Sequence, residues 1–110
     1  MSEPVIWIDG EWKTKQTAAV SVYDHGLLYG DGVFEGMRIY AGKVFRLDDH
    51  LTRLFESAHT LLLTIPYPRA EVESMVKDAV KRSGRATKSC ATFGLTRRHD
   101  VSQIRGVSRE

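Results

Sequence analysis

Val33-Phe34-Glu35-Gly36-Met37-Arg38-Ile39-Tyr40, followed by Ala41-Gly42-Lys43 and Val44-Phe45-Arg46-Leu47, is the stretch on which the fold turns. Its first eight residues are rich in β-branched and aromatic side chains, Ala41-Gly42-Lys43 can make a turn, and the last four can return as an antiparallel partner. A hairpin is expected here. Asp48 is then an N-cap candidate, and Leu51, Leu54, Phe55, Ala58, Leu61 and Leu62 recur at spacings that gather them on one face of a helix. Ile65-Pro66-Tyr67-Pro68 ends that helix, because proline lacks the N–H and clashes with the preceding turn, and Pro68 suits the first position of the next. Val72, Met75, Val76, Ala79 and Val80 repeat the helical spacing up to Ser83-Gly84.

Upstream, Val5-Ile6-Trp7-Ile8, Asp9-Gly10 and Glu11-Trp12-Lys13-Thr14-Lys15 read as a second hairpin, with Asp-Gly as its turn. Residues 21–32 hold neither a period of 2 nor one of 3.6, and their glycines permit close-packed backbone, so an ordered loop is expected. Two amphipathic helices on a small, mostly antiparallel sheet make a two-layer α/β (α+β) domain over residues 1–84. Residues 89–95 can form one further strand. Beyond them no period or apolar face is evident, and residues 85–110 are expected to be a basic tail.

Composition narrows the classes of function. A chain of 110 residues with 42% hydrophobic and 27% charged side chains has room for one globular domain. It has no apolar run of membrane-spanning length and no signal-peptide pattern at its start, so a cytoplasmic protein is expected. The single Cys90 has no partner for a disulfide or a cysteine metal site. Charge is uneven: residues 1–80 carry 8 Lys or Arg against 12 Asp or Glu, whereas residues 81–110 carry 8 against 2. A basic tail can neutralise phosphates, but beyond Phe93 it lacks the interleaved aromatics of a nucleic-acid binder, and that partner is not expected.

Phe34, Gly36 and Arg38 share one face of a strand, where an aromatic, a gap and a guanidinium suit a small molecule with an apolar part and a carboxylate. The bland alternative puts Phe34 in the core and turns Arg38 to solvent. Arg53, one turn into its helix, can grip a phosphate bidentately or can simply be solvated. For His25 and His50, structural hydrogen bonding is the expectation, since no metal-ligand spacing accompanies them; His59 and His99 carry no case. The glycines match neither the P-loop nor the dinucleotide spacing.

The run from Val20-Ser21-Val22-Tyr23-Asp24-His25-Gly26 through Tyr29-Gly30-Asp31-Gly32-Val33-Phe34-Glu35-Gly36-Met37-Arg38, with Val44-Phe45-Arg46-Leu47, His50-Leu51 and Arg53-Leu54 behind it, closely resembles the class IV aminotransferases, which use pyridoxal 5'-phosphate. Phe34-Glu35-Gly36-x-Arg38 resembles the branched-chain amino-acid aminotransferases more than the related D-amino-acid aminotransferases or aminodeoxychorismate lyases. The resemblance implies the small amino-terminal domain of such an enzyme. By that implication Arg53 binds the cofactor phosphate, while Tyr29, Phe34, Gly36 and Arg38 line or shape the substrate pocket. It implies a homodimer that transfers the amino group of leucine, isoleucine or valine to 2-oxoglutarate, giving glutamate.

The lysine such chemistry requires lies, in the family, well beyond position 110, and Lys77, Lys81 and Lys88 occupy no matching place. No catalytic residue is therefore expected in these 110 residues, and the chain alone is expected to be inactive; a self-associating or interacting stub without catalysis is the competing reading. After the second helix, relatives continue with a strand resembling Tyr-Ile-Arg, and Ala91-Thr92-Phe93-Gly94 can be encoded by a string that reads Tyr-Ile-Arg in another frame. A frameshift near Lys88 would account for the basic bias, the lost pattern and the early end together.

Overall fold

The computed structural model describes residues 4–84, 89–98 and 101–109, with backbone only for residues 98 and 101–109. The chain opens with β1 (Ile6–Ile8) and β2 (Glu11–Lys13), paired antiparallel with Ile8 opposite Glu11. Asp9 and Gly10 between them both have positive φ, 49° and 92°, as a two-residue turn that follows the twist of its strands requires. The expected first hairpin is present.

The segment expected as a loop is ordered but contains one helical turn, α1 (His25–Tyr29). Asp24 supplies the cap. Its Oδ1 accepts from the N–H of Gly26 at 2.7 Å and of Leu27 at 3.2 Å, and its Oδ2 accepts from the Thr96 hydroxyl at 3.1 Å. Five residues are too few for a hydrophobic period to show, which is why the pattern missed this turn.

β3 (Gly32–Tyr40) turns back into β4, which is only Lys43–Val44. The returning strand is shorter than expected because Leu47 already begins α2 (Leu47–Thr60). Asp48 therefore does not cap α2. Arg46 occupies that position with a left-handed backbone and no side-chain cap bond, while Asp48 lies in the first turn and accepts from Arg69 Nη2 at 2.7 Å. At the other end Leu61 and Leu62 fall outside the helix and stay exposed, and Leu63 takes the buried place expected of them. α3 (Arg69–Ser83) starts one residue after Pro68, which serves as its N-cap, and stops at Gly84 with φ of 64°.

The chain beyond Gly84 departs most from expectation. β5 (Ser89–Arg98) and β6 (Val101–Arg109) are both strands of one six-stranded antiparallel sheet ordered β2-β1-β6-β5-β3-β4. The expected divide at residue 84 is thus absent from the sheet: β5 pairs with β3 from Gly32↔Thr96 to Ile39↔Ser89, and β6 joins β5 to β1. Along β5, Ala91, Phe93 and Leu95 are buried in alternation, a period of two set among threonines and glycines rather than polar charges.

The two long helices, α2 and α3, cover the same face of this sheet. Leu51, Leu54 and Ala58 of α2 and Val72 and Val76 of α3 meet Trp7, Met37, Phe93 and Leu95 in the main core, and Ile39, Val80 and Ala91 extend it. Among the described residues the other face carries only the short α1, whose cap Asp24 accepts from the Thr96 hydroxyl at one end of β5. On that face, β3 and β5 approach so closely that a Cβ on Gly94 would sit 2.6 Å from the carbonyl oxygen of Val33 and 2.7 Å from the Phe34 Cβ, whereas one on Gly36 would meet nothing within 4 Å. Gly94→Ala should therefore cost about 1–3 kcal/mol, the range for forcing atoms into a packed site. Gly36→Ala should stay within about 0.5 kcal/mol. Urea unfolding of the two variants checks this, and equal midpoints would refute the close approach.

Candidate functional site

The candidate site begins with the alternation of β3. Met37 and Ile39 point at the helices, and the same period places Glu35 on that face, where its side chain keeps only 9% of its exposure. A carboxylate taken out of water needs donors. α2 supplies them from residues three apart, which a helix brings side by side. Arg53 Nε donates to Glu35 Oε2 at 2.8 Å and Nη2 to Oε1 at 2.7 Å, while His50 Nδ1 lies 2.7 Å from Oε1. Because an ionised carboxylate only accepts, the proton of His50 is assigned to Nδ1.

The electrostatics follow from this geometry. Hydrogen bonds from Arg53 hold the Glu35 carboxyl below its ordinary value of 4.5, against the opposing effect of burial and with help from His50. In return Glu35 raises the Arg53 guanidinium. Arg53 itself remains 64% exposed, so the pair has one end inside the protein and one in solvent.

The site lies at an open edge. β4 covers β3 only at Ile39 and Tyr40, so among the described residues no strand pairs with the outer edge of Gly32 to Met37. Arg53 flanks that edge from the helix side. On the opposite side of the sheet Phe34, Gly36 and Arg38 are all exposed. Phe34 is 72% accessible, which removes it from the core and sets aside the bland alternative for that residue. Arg38 does turn outward, yet it is not adrift: Nη1 donates to Cys90 Sγ at 3.3 Å, and Tyr40 first, then Cys90, raise its guanidinium further. A depression of about 490 Å³ beside Phe34 is lined by Leu27, Gly32, Thr92, Gly94 and Thr96.

Tyr29 belongs to the loop above this face. It is 73% exposed and stacks edge-on against His25, with ring centroids 5.2 Å apart. Arg97 fixes the loop: Nε donates to Asp31 Oδ2 at 2.7 Å, its N–H donates to the Asp31 carbonyl at 3.0 Å, and Nη2 reaches the Leu61 carbonyl at 2.8 Å. His25 lies 3.6 Å from the same carboxylate. The structure therefore gathers Phe34, Gly36 and Arg38 on one side of the sheet and Arg53 on the other. His50 takes a structural hydrogen bond, as expected, whereas His25 has the 3.6 Å approach to Asp31 and the edge contact with Tyr29 in place of one. Glu35, the common partner of His50 and Arg53, was not singled out from the sequence, although an acid in register with Met37 and Ile39 was the available signal. Among the described residues no group of three or more His, Cys, Asp or Glu side chains is placed to hold a metal. Lys77 and Lys81 line a separate groove with Val44, Leu47 and Glu73, and Lys88 and His99 lie outside the described residues.

Comparison with known proteins gives this arrangement its context. Residues 32–106 match the family described as Amino-transferase class IV. The branched-chain-amino-acid aminotransferase of Pseudomonas aeruginosa is 43% identical over 83 residues, covering 72% of this chain and 27% of that protein. Among solved structures, a branched-chain aminotransferase from Thermoproteus uzoniensis with norvaline superposes with a TM-score of 0.83 at 30% identity, over 98% of this chain and 40% of the other. The T.th. branched-chain amino acid aminotransferase complexed with N-(5'-phosphopyridoxyl)-L-glutamate does so with a TM-score of 0.88 at 27% identity, over 98% and 40%. The chain belongs to the class IV aminotransferases. It spans about a quarter of the length of the curated relatives it matches.

The lowered pKa of Glu35 has a sign that can be checked. The ionised form is favoured in the folded state, so its stabilisation is complete above the ordinary glutamate value and is lost as pH falls through the lower folded value. The urea midpoint of the unaltered chain should fall with acidification across that window, and that of Glu35→Gln should start lower at pH 7 and respond less. Parallel profiles would mean that Glu35 is not held ionised by Arg53.

Proposed function

We propose that this chain carries the cofactor-phosphate arm and one wall of the substrate pocket of a pyridoxal 5'-phosphate-dependent branched-chain amino-acid aminotransferase. The observation that carries the reading is Arg53, a guanidinium pinned to a buried carboxylate at an open sheet edge with its outer end in solvent. Arginine suits a phosphate there, because its planar fork meets two oxygens at once. Nη1 of Arg53 makes no hydrogen bond to the described residues, which leaves donors for such a group.

On the opposite side of the edge, Phe34 offers an apolar wall for a branched side chain, and Arg38 offers a permanent positive charge for a carboxylate. Tyr29 stands on the loop that Arg97 fixes above them. Gly36 keeps the intervening surface free of side-chain atoms. Pyridoxal 5'-phosphate, when bound, would supply the aldehyde chemistry by which an amino group is exchanged between leucine, isoleucine or valine and 2-oxoglutarate. The amine side chain and the proton transfer this chemistry requires are not assigned to any of the described residues, and the matched relative extends well beyond the stretch it shares with this chain. No described helix is long and apolar enough to cross a membrane. A cytoplasmic homodimer is the assembly we propose, since Val22, Tyr23, Leu27, Tyr29 and Phe34 present an apolar surface that a partner or second domain would cover.

Pyridoxamine 5'-phosphate tests the assignment without forming imines on stray lysines. Titrated into the chain and followed by its absorbance and fluorescence, it should bind saturably. Arg53→Ala should weaken binding about 10- to 100-fold, as loss of charge-assisted hydrogen bonds implies. The 110 residues alone should form no glutamate from leucine and 2-oxoglutarate. Unchanged affinity in Arg53→Ala, or enzyme-like turnover by this chain, would overturn the assignment.

A further inference from the structure

The guanidinium of Arg53 has two usable edges, and the described residues use only one. Glu35 takes Nε and Nη2 in a side-on pair at 2.8 and 2.7 Å. The remaining edge, formed by Nη1 and the second hydrogen of Nη2, faces away from the carboxylate. His50 does not consume it: its Nδ1 lies 3.4 Å from Nη2, but that nitrogen already donates to Glu35 and has no lone pair to offer.

We propose that Glu35 is a positioning residue for Arg53, holding the side-on edge so that the end-on edge is presented, in a fixed plane, to a phosphate. This rests on the reading of Arg53 as the phosphate arm and adds a sign that can be tested. By charge alone, Glu35 opposes the site: a carboxylate next to the arginine cancels much of its attraction for an anion. By geometry it favours the site, because an exposed arginine on its flexible stem otherwise loses its rotamer freedom only when the anion arrives. Three features make geometry the larger effect. Glu35 is itself immobilised, fixed on β3 in register with Met37 and Ile39 and nearly closed off from water. The contact is bidentate, so it sets the guanidinium's plane as well as its position. His50 bonds the same oxygen that Nη2 uses, which holds the carboxylate against rotation about its own terminal bond.

The experiment follows the Arg53 Nε–Hε signal in the ¹⁵N-labelled 110-residue chain, assigned by its loss in Arg53→Lys, while inorganic phosphate and then pyridoxamine 5'-phosphate are added. In the unaltered chain the proton should exchange slowly with water, and the signal should shift saturably. In Glu35→Gln, exchange should quicken and phosphate affinity should fall by roughly tenfold, the upper end of what ordering one such side chain costs, while the amide spectrum stays that of the folded chain. Affinity that is unchanged or tighter in Glu35→Gln would overturn the proposal, for then the carboxylate only neutralises. Free-arginine exchange at Arg53 in the unaltered chain would overturn it as well, and that measurement needs no variant to fold. Arg53→Lys keeps the charge without the fork and should bind several-fold more weakly. If it binds as well as the unaltered chain, or if phosphate leaves the Arg53 signal unmoved, the phosphate arm itself is wrong, and that failure is distinct from a failure of Glu35 alone.

Discussion

A carboxylate buried between a sheet and a helix constrains everything around it. Glu35 cannot shed its charge cheaply with Arg53 and His50 bonded to it, and it cannot keep that charge without them. The requirement links β3 to α2 at one rotational setting of the helix, since only residues three apart on that surface can reach the two oxygens together. The same setting turns Leu51, Leu54 and Ala58 onto Met37 and Phe93. Polar and apolar contacts thus agree on the register of helix against sheet, and this agreement is what distinguishes one packing from its near alternatives.

The open edge of β3 follows from where α2 begins. Because Leu47 is already helical and half-buried against the core, β4 has only two residues in which to pair, and the edge of β3 beside Glu35 is left without a strand among the described residues. An uncovered edge is normally a hazard. Here it places the exposed end of Arg53 beside a sheet whose far face carries Phe34 and Arg38, so two kinds of recognition group converge on one border of the domain. The close approach at Gly94 serves the same face: without a side chain on β5 at that point, Phe34 lies over the strand rather than being pushed away from it.

Much of this was legible in the residues. The helical spacings of Leu51, Leu54, Ala58, Val72, Val76 and Val80 and the Asp9-Gly10 turn carry strong local signals, and each element formed where its pattern put it. The caps were less legible. Asp48 has the right chemistry for an N-cap, but Leu47 gains by burial as a helical residue and Asp48 turns to Arg69, a partner 21 residues away that no local pattern reveals. β5 was read only in part and β6 not at all, because a strand at the centre of a sheet is stabilised by neighbours distant in sequence and can tolerate glycine and threonine where a local pattern demands alternation with charge. Phe34, Gly36 and Arg38 were legible as a set from the period of two. Glu35 was hidden by expectation: on the core face of a strand an acid reads as an interruption, when it was the signal that a cation must come from the next element.

The uneven charge of the chain is explained by the same kind of long-range pairing. Residues 1–80 are acidic and residues 81–110 basic, a division that suggests a detachable basic tail. Arg82 and Arg97, from the basic part, are tied to the rest of the fold instead. Arg97 spends its donors on Asp31 and on the Leu61 carbonyl just past α2, and Arg82 lies with its guanidinium carbon 4.1 Å from the centre of the Trp12 ring, joining α3 to the first hairpin. Arg97 in particular sits on β5 at the position where the sheet meets the loop carrying His25 and Tyr29, so its charge is needed where the backbone of that loop turns over. Net charge counted along a sequence says where ions are concentrated, and only the fold says whether they face water. Here a basic run supplies the ties that hold an acidic loop over the sheet, and the face it orders is the one that bears Phe34 and Arg38.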